Sequence, residues 1–492
     1  MAVNRNSYRQ KQADSRRNNL IIGASVLLAL VFTVLMVFAG KNAKKDSKTP
    51  APPVDSSVPP ISDAVNIPQT PLPTNPPSAE NGDLPSIPPI DLTSGSIIDS
   101  ETPNPSEEEP PADSNVASKV GAVFAARLVE WIRAQEPPRL SFVACGDNLI
   151  HSSIYTDAQT LAAGTGKNYN FLPMYENVAD VIRDADIAFI NQETPFGGTS
   201  RPISGYPLFN SPDEVGYDLI ELGFDVINLA NNHMLDSTAA GYQRTIEFWE
   251  EQPNVLAIGG YKNKEDYENI RIMEKDGIKI AFLSYTYGTN GLSLPRDSSL
   301  VVPLCTDAEI DRQTKLARGL ADCVIVSVHW GVEDSFTPSA EQRRQAQLMV
   351  DNGVDVIIGH HPHVLQPMKW VDRPDGGRTL IMYSLGNFLS GMMYSRNMVG
   401  GMMGFDIVKA DTGVVIENAY FIPTVCQYNS SVRGFKLYRF ADYTEELQKA
   451  HGAHKFDAGM SMKSMQKIVK DAIPSEFLTQ DANFWDTVFT GE

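Results

Sequence analysis

The stretch VDVIIGHHPHVLQ, residues 354–366, decides the fold. It opens on a short run that is apolar except for Asp355, the texture of a buried strand, and ends on Gly359 followed by His360, His361 and His363. Imidazoles crowded at a strand end are costly to bury unless something uses them. Working outward, the same construction recurs. Residues 140–145 (LSFVAC) run into Gly146-Asp147-Asn148, and 186–190 (DIAFI) run into Asn191-Gln192-Glu193. Residues 225–229 (DVINL) lead to Ala230-Asn231-Asn232-His233 with Asp236 just beyond, and 323–328 (CVIVSV) to His329-Trp330-Gly331. Further strands read at 278–285 and 379–383, and helical periodicity at 214–222, 239–251, 306–319 and 340–352. Apolar strands flanked by helices make an α/β domain around a buried, largely parallel sheet or pair of sheets. Sites in such sheets lie beyond the carboxyl ends of the strands, so these scattered tips are expected to converge.

Each tip alone has an ordinary explanation. A Gly-Asp after a strand is usually a turn, and a His-Trp-Gly a satisfied histidine beside a core aromatic. Together they read as a metal site, because five of the chain's eight histidines stand at these tips. The donors expected are Asp147, Glu193, Asn232, His329, His361 and His363, with His360 as an alternative ligand. His361 is preferred to His360 because His-x-His spacing puts both side chains on one side of an extended chain. Carboxylates, an amide oxygen and imidazoles suit Mn, Zn or Fe rather than Ca or Mg alone. The donors are too many for one tetrahedral ion. Two divalent ions about 3.5–4 Å apart, bridged by Glu193, would use them all, and such a pair clamps the entering and leaving oxygens of phosphoryl transfer. His233, its other nitrogen oriented by Asp236, is the candidate proton donor to a leaving group. No Gly-x-Ser-x-Gly elbow, Walker-type loop or cysteine next to a histidine offers a competing scheme.

The rest of the chain sets the context. A net charge of −19 argues against a nucleic-acid partner, which needs Lys and Arg to neutralise phosphates. The four cysteines are too scattered for a thiolate zinc site or a disulfide framework. Residues 20–40 carry no charge and match the roughly 20 residues that cross a ~30 Å hydrocarbon core, so a single transmembrane helix is expected, with a cleaved signal peptide as rival. Residues 1–19 would then be cytoplasmic and the long chain beyond the helix extracytoplasmic, at the cell membrane. Residues 41–137, rich in Pro, Ser and acidic residues, read as a disordered spacer with a helix at 117–135. The folded domain is expected over 138–429, followed by a C-terminal extension, 430–492, where His451 and His454 are expected on a solvated surface.

These motifs, with GHHPHVLQ at 359–366, Met234-Leu235 before Asp236, and YSLGNF at 383–388, resemble the CapA family of poly-γ-glutamate capsule biosynthesis proteins. That family is a branch of the calcineurin-like metallophosphoesterase superfamily, and the resemblance covers about residues 140–423. It implies a four-layer α-β-β-α sandwich with a two-metal, phosphoesterase-type hydrolase site at one edge, anchored to the membrane. It also implies other capsule-synthesis membrane proteins and an anionic polymer as partners. The alternative role is a non-catalytic capsule-assembly or polymer-binding component on the same fold. The first motif reads Asp147-Asn148-Leu149 where the superfamily has Asp-x-His, and Glu193 stands where an Asp is usual.

Overall fold

A computed structural model describes residues 137–478. The helix expected at 20–40, the one at 117–135 and nearly all of the 41–137 spacer lie outside the described residues. Among the described residues no helix is long and apolar enough to cross a membrane.

The strands are β1 (Arg139–Asn148), β2 (Ile187–Gln192), β3 (Val226–Asn228), β4 (Leu256–Ile258), β5 (Arg271–Lys275), β6 (Ile278–Thr286) and β7 (Cys323–His329). They continue as β8 (Val356–His360), β9 (Leu365–Asp372), β10 (Arg378–Leu385), β11 (Asn387–Leu389), β12 (Val399–Ala410), β13 (Gly413–Gln427) and β14 (Lys436–Arg439). One sheet has the order β14-β13-β12-β1-β2-β3-β4, with β11 also on β1; the other has the order β5-β6-β7-β8-β10-β9. All seven strands expected from apolar runs are present.

The expectation of largely parallel sheets needs correction. The centres, β1 to β4 and β6-β7-β8-β10, are parallel. The margins are antiparallel: β12 on β1, β13 on β12, β14 on β13, β5 on β6 and β9 on β10. Asp276-Gly277, both at positive φ, closes the β5–β6 hairpin in the manner of a type I′ turn.

Side-chain alternation divides each central strand between two cores. On β6, Ile280 and Phe282 share the inter-sheet core with Phe142 of β1 and Phe405 of β12. The ring of Phe142 stands 6.3 Å from that of Phe282 and 4.8 Å from that of Phe405. Ala281, Leu283 and Tyr285 face the other way. Helices α1 (Ser152–Leu161), α2 (Glu214–Leu222), α3 (Thr238–Glu250), α4 (Asp307–Arg318), α5 (Ala340–Asp351) and α6 (Met462–Ala472) complete the layers. Ile310 and Ala317 of α4 and Ala346 and Met349 of α5 cover the outward face of the second sheet. The crossovers through α2 and α3 join parallel strands of the first sheet, whose inner face is taken by the second. They therefore run over its free face, adding Leu219 and Trp249 to the core.

The chain beyond Ser430 is part of this body. β14 extends the first sheet, and Phe435, Leu437, Phe440, Met465 and Val469 are buried in its core. The solvated-surface expectation for His451 is corrected: the residue is 2% exposed. Its Nε2 lies 3.0 Å from the Cys426 carbonyl oxygen, and its Nδ1 accepts the Ala453 N–H. It caps the turn Gly452–Lys455, and burial brings its pKa down to about 4. His454 is half-buried, its Nε2 2.9 Å from the Gln448 carbonyl oxygen. The four cysteines are free thiols, and Cys145, Cys323 and Cys426 are buried.

Candidate metal centre

The strand tips do converge. β1 can deliver Asp147 because Gly146 lets it run against the 386 backbone: a Cβ there would stand 2.1 Å from the Gly386 carbonyl oxygen. The Asp147 N–H donates to that same oxygen at 3.0 Å. The carboxylate is held on several sides. Asn191 Nδ2–H donates to Oδ1 (2.8 Å) and the His361 backbone N–H to Oδ2 (3.2 Å). Nδ1 of His360 lies 3.1 Å from Oδ1, and Nδ1 of His363 lies 3.1 Å from Oδ2. Asn191 is fixed in turn by Asn228 Nδ2–H (2.7 Å), and Asn228 by the hydroxyl of Ser284. Asp147 is thus positioned by a chain of polar contacts that starts in the other sheet. Burial works to raise its pKa, but His360 and His363 outweigh it and hold the carboxyl well below its ordinary range.

Glu193, at the end of β2, is in the opposite condition. It is fully buried and neither carboxylate oxygen has a hydrogen-bond partner. Oε1 stands 3.5 Å from His329 Nε2 and 3.6 Å from His363 Nε2. Burial pushes its pKa well up, against the pull of His363 and with the help of Asp147. His329 Nδ1 and His361 Nδ1 are likewise buried without partners. Burial holds His329 well below its ordinary pKa and His361 at about 3, so both rings are neutral and offer lone pairs. His361 and His363 adopt positive φ (97° and 56°), backbone strain of the kind that collects at functional sites.

This donor chemistry fits a cation. One donor atom each from Asp147, Glu193 and His329 lies within 4.8 Å of the others, and the same holds for Glu333, His361 and His363. Three ligands at ~2.0–2.2 Å around one ion stand roughly 3.3–3.6 Å from one another, so each group would close by up to about 1 Å around an ion. Buried carboxylate oxygens with nothing to bond are otherwise costly.

Asn232 joins the cluster through Oδ1, 3.0 Å from His329 Nε2, and its Nδ2–H donates to Asn290 Oδ1 (3.3 Å). All six expected ligands therefore meet. His360 enters neither group: its ring stacks on Phe189 (5.8 Å) behind Asp147, supporting that carboxylate. His233 Nδ1 lies 2.7 Å from Asp236 Oδ2, which also accepts the Phe209 N–H at 2.9 Å. The sequence reading missed Glu333, Asn228 and Ser284. It also gave no role to Asn387, within the quoted YSLGNF motif, whose Oδ1 is 3.1 Å from His363 Nδ1. Tyr287, half-exposed, sets its ring 4.5 Å from that of His361.

Two face-to-face sheets whose carboxyl-end tips gather carboxylates, an amide and neutral imidazoles make a mixed α/β protein with candidate ligands for divalent metal. Residues 141–392, just over half of the chain, match the family described as Bacterial capsule synthesis protein PGA_cap, and the chain belongs to that family. It is 34% identical over 199 residues to the capsule biosynthesis protein CapA of Bacillus anthracis, covering 40% of this chain and 47% of that one. It is 31% identical over 205 residues to the PGA biosynthesis protein CapA of Bacillus subtilis (strain 168), covering 40% and 50%. The chain spans about half the length of these curated relatives. Among solved structures it is similar to the calcineurin-like phosphoesterase YfkN of Bacillus subtilis, at 14% identity and a TM-score of 0.36, over 68% of this chain and all of that one.

Proposed function

We propose that this chain is a membrane-anchored, extracytoplasmic hydrolase of the phosphoester type that serves capsule polymer synthesis and works with two divalent ions, Mn, Zn or Fe. The observation that carries the reading is Glu193: a buried carboxylate with both oxygens unpartnered, set between His329 and His363. Asp147, Glu193, Asn232, His329, His361 and His363 would hold the ions. When bound, such a pair polarises a phosphoryl oxygen and lowers the pKa of water toward neutrality.

The remaining steps belong to side chains. Asp236, fixed by the Phe209 N–H, accepts from His233 Nδ1–H and leaves Nε2 as the ring's free nitrogen. A proton carried there is available to a leaving-group oxygen. The anchor is residues 20–40, uncharged and long enough to span a bilayer. The names of the relatives support the capsule context; the partners proposed are other capsule-synthesis membrane proteins and an anionic polymer.

One observation favours a second reading, a polymer-binding or assembly component without turnover. Leu149, buried and apolar, stands where the superfamily's first motif has a histidine. The test is hydrolysis of p-nitrophenyl phosphate and its bis-ester by the full chain in detergent with Mn²⁺. Turnover that disappears in Glu193→Gln and His363→Ala is expected. A silent wild-type protein with its metals bound overturns the hydrolase reading in favour of the second. Proteolysis of the domain from outside intact, wall-stripped cells tests the placement; protection from protease overturns it.

A further inference from the structure

We infer that Glu333 is a metal ligand, completing an outer donor group with His361 and His363. The inference deepens the two-metal reading above and rests on it.

The loop carrying Glu333 is built alongside the histidines. Trp330 N–H donates to the His360 carbonyl (3.1 Å) and Asp334 N–H to the Pro362 carbonyl (2.9 Å), so residues 330–334 are stitched to 360–362 at both ends. The near end is anchored by Trp330, buried, with its indole N–H on the Tyr383 carbonyl (3.0 Å). The far end is clamped by the Asp334 carboxylate, which accepts from Arg396 (2.9 and 3.0 Å) and from Asn397 (2.8 Å). Asn397 also donates to the His363 carbonyl (3.2 Å), tying the same clamp to the histidine. Gly331, at φ +96°, makes the turn between the two ends.

The result is a carboxylate oxygen within 4.8 Å of a nitrogen of His361 and of a nitrogen of His363. A second observation points to a ligand there. His361 is 3% exposed, and its Nδ1 is buried without a partner. Among the described residues no Lys or Arg forms a salt bridge with Glu333, whereas its neighbour Asp334 takes Arg396. One carboxylate and two imidazoles is a donor set that zinc and ferrous sites use. The inner group, Asp147, Glu193 and His329, lies next to it, because His363 is 3.1 Å from Asp147 and 3.6 Å from Glu193. Each ion would then have three protein donors, with Asn232 beside the inner one.

The test is metal stoichiometry, independent of turnover. The full-length chain is stripped with chelator, titrated with Mn²⁺, and read by elemental analysis and by electron paramagnetic resonance, where a coupled pair and a lone Mn²⁺ differ. Wild type is expected to bind two ions with a coupled signal. Glu333→Gln is expected to lose about tenfold or more in affinity for one ion, leaving a mononuclear signal. Glu333→Asp should recover part of the loss. The control Glu341→Gln, at an exposed position of α5, should bind as wild type does. Melting of the stripped variants should match wild type, since Glu333 is exposed. Unchanged stoichiometry and affinity in Glu333→Gln overturn the assignment. If wild type holds one ion and Glu333→Gln loses it, the ligand assignment stands and the two-metal reading falls. If wild type holds one ion and the variant keeps it, the ligand assignment is overturned as well.

Discussion

His363 touches more acceptors than any uncharged ring needs: Asp147 and Asn387 at Nδ1, both 3.1 Å away, and Glu193 at Nε2. Burial alone would push its pKa down, but Glu193 and Asp147 override it and raise the value to about 9. A raised folded pKa stabilises the protein below the unfolded value of ~6.5, and that contribution is lost as pH climbs through about 9. The linkage is worth on the order of 3 kcal/mol for a fully buried group. Metal-stripped protein should therefore melt at progressively lower temperature from pH 6.5 to 9, and His363→Asn should flatten that limb. An equally steep limb in the variant would remove His363 as its cause. Since metal needs the unprotonated nitrogen, Mn²⁺ affinity should rise over the same window. For the proposed proton donor, His233→Ala should cost roughly 10²–10⁴ in kcat with metal content unchanged. Intact turnover would exclude that role. The six candidate ligands were legible because each stands at the end of an apolar run, and Glu333 was not. It follows Val332, 58% exposed, and reads as solvated loop until the contacts from 330 and 334 to 360 and 362 place it. Ser284 was hidden too, since its bond to Asn228 crosses between sheets and no spacing encodes that.

At the scale of elements, the site depends on how closely β1 approaches β11. Gly146→Ala would put a Cβ 2.1 Å from a backbone carbonyl oxygen that cannot rotate away, and would strain the 3.0 Å bond from Asp147 N–H to Gly386. The expected cost is about 1–3 kcal/mol, with weakened Mn²⁺ binding because Asp147 moves with its strand. Gly288→Ala, with nothing within 4 Å, should stay within about 0.5 kcal/mol of wild type. Comparable melting of the two variants would mean that β1 has room to shift. The same closeness explains which strands the sequence concealed. The central strands announce themselves as apolar runs, whereas β12 opens Val399-Gly400-Gly401, whose paired glycines are weak strand formers. Gly400 is needed there because a Cβ would meet the Asn387 carbonyl oxygen at 2.0 Å. β4 and β11 are three residues each, too short for any periodicity to show.

Across the whole molecule, the segment after Ser430 joins the core and the site. Phe435, Leu437, Phe440, Met465, Val469 and Phe477 are each 3% exposed or less. At ~1.5–3 kcal/mol per buried side chain their gross contribution is about 9–18 kcal/mol, comparable with the ~5–15 kcal/mol net stability of a typical domain. Polar ties reinforce them: the Phe435 N–H donates to buried Asp157 of α1 (2.8 Å), and Arg439 pairs with Asp180 (2.7 and 2.6 Å). Asp457 accepts from the Ser395 N–H (3.3 Å) and hydroxyl, steadying the short turn whose Arg396 and Asn397 clamp Asp334 and the His363 carbonyl. A chain ending at Asn429 would leave β13 as a bare edge, with Val425 and Cys426 stripped of their partners Tyr438 and Leu437. It should show no cooperative melting transition and should aggregate, while Asp457→Ala in the full chain should melt within a few degrees of wild type and bind Mn²⁺ more weakly. A truncated chain that melts sharply and holds metal would show that 430–478 is an appendage. The intact fold of Asp457→Ala, with altered metal binding, would show that the segment also steadies the site through residues 395–397.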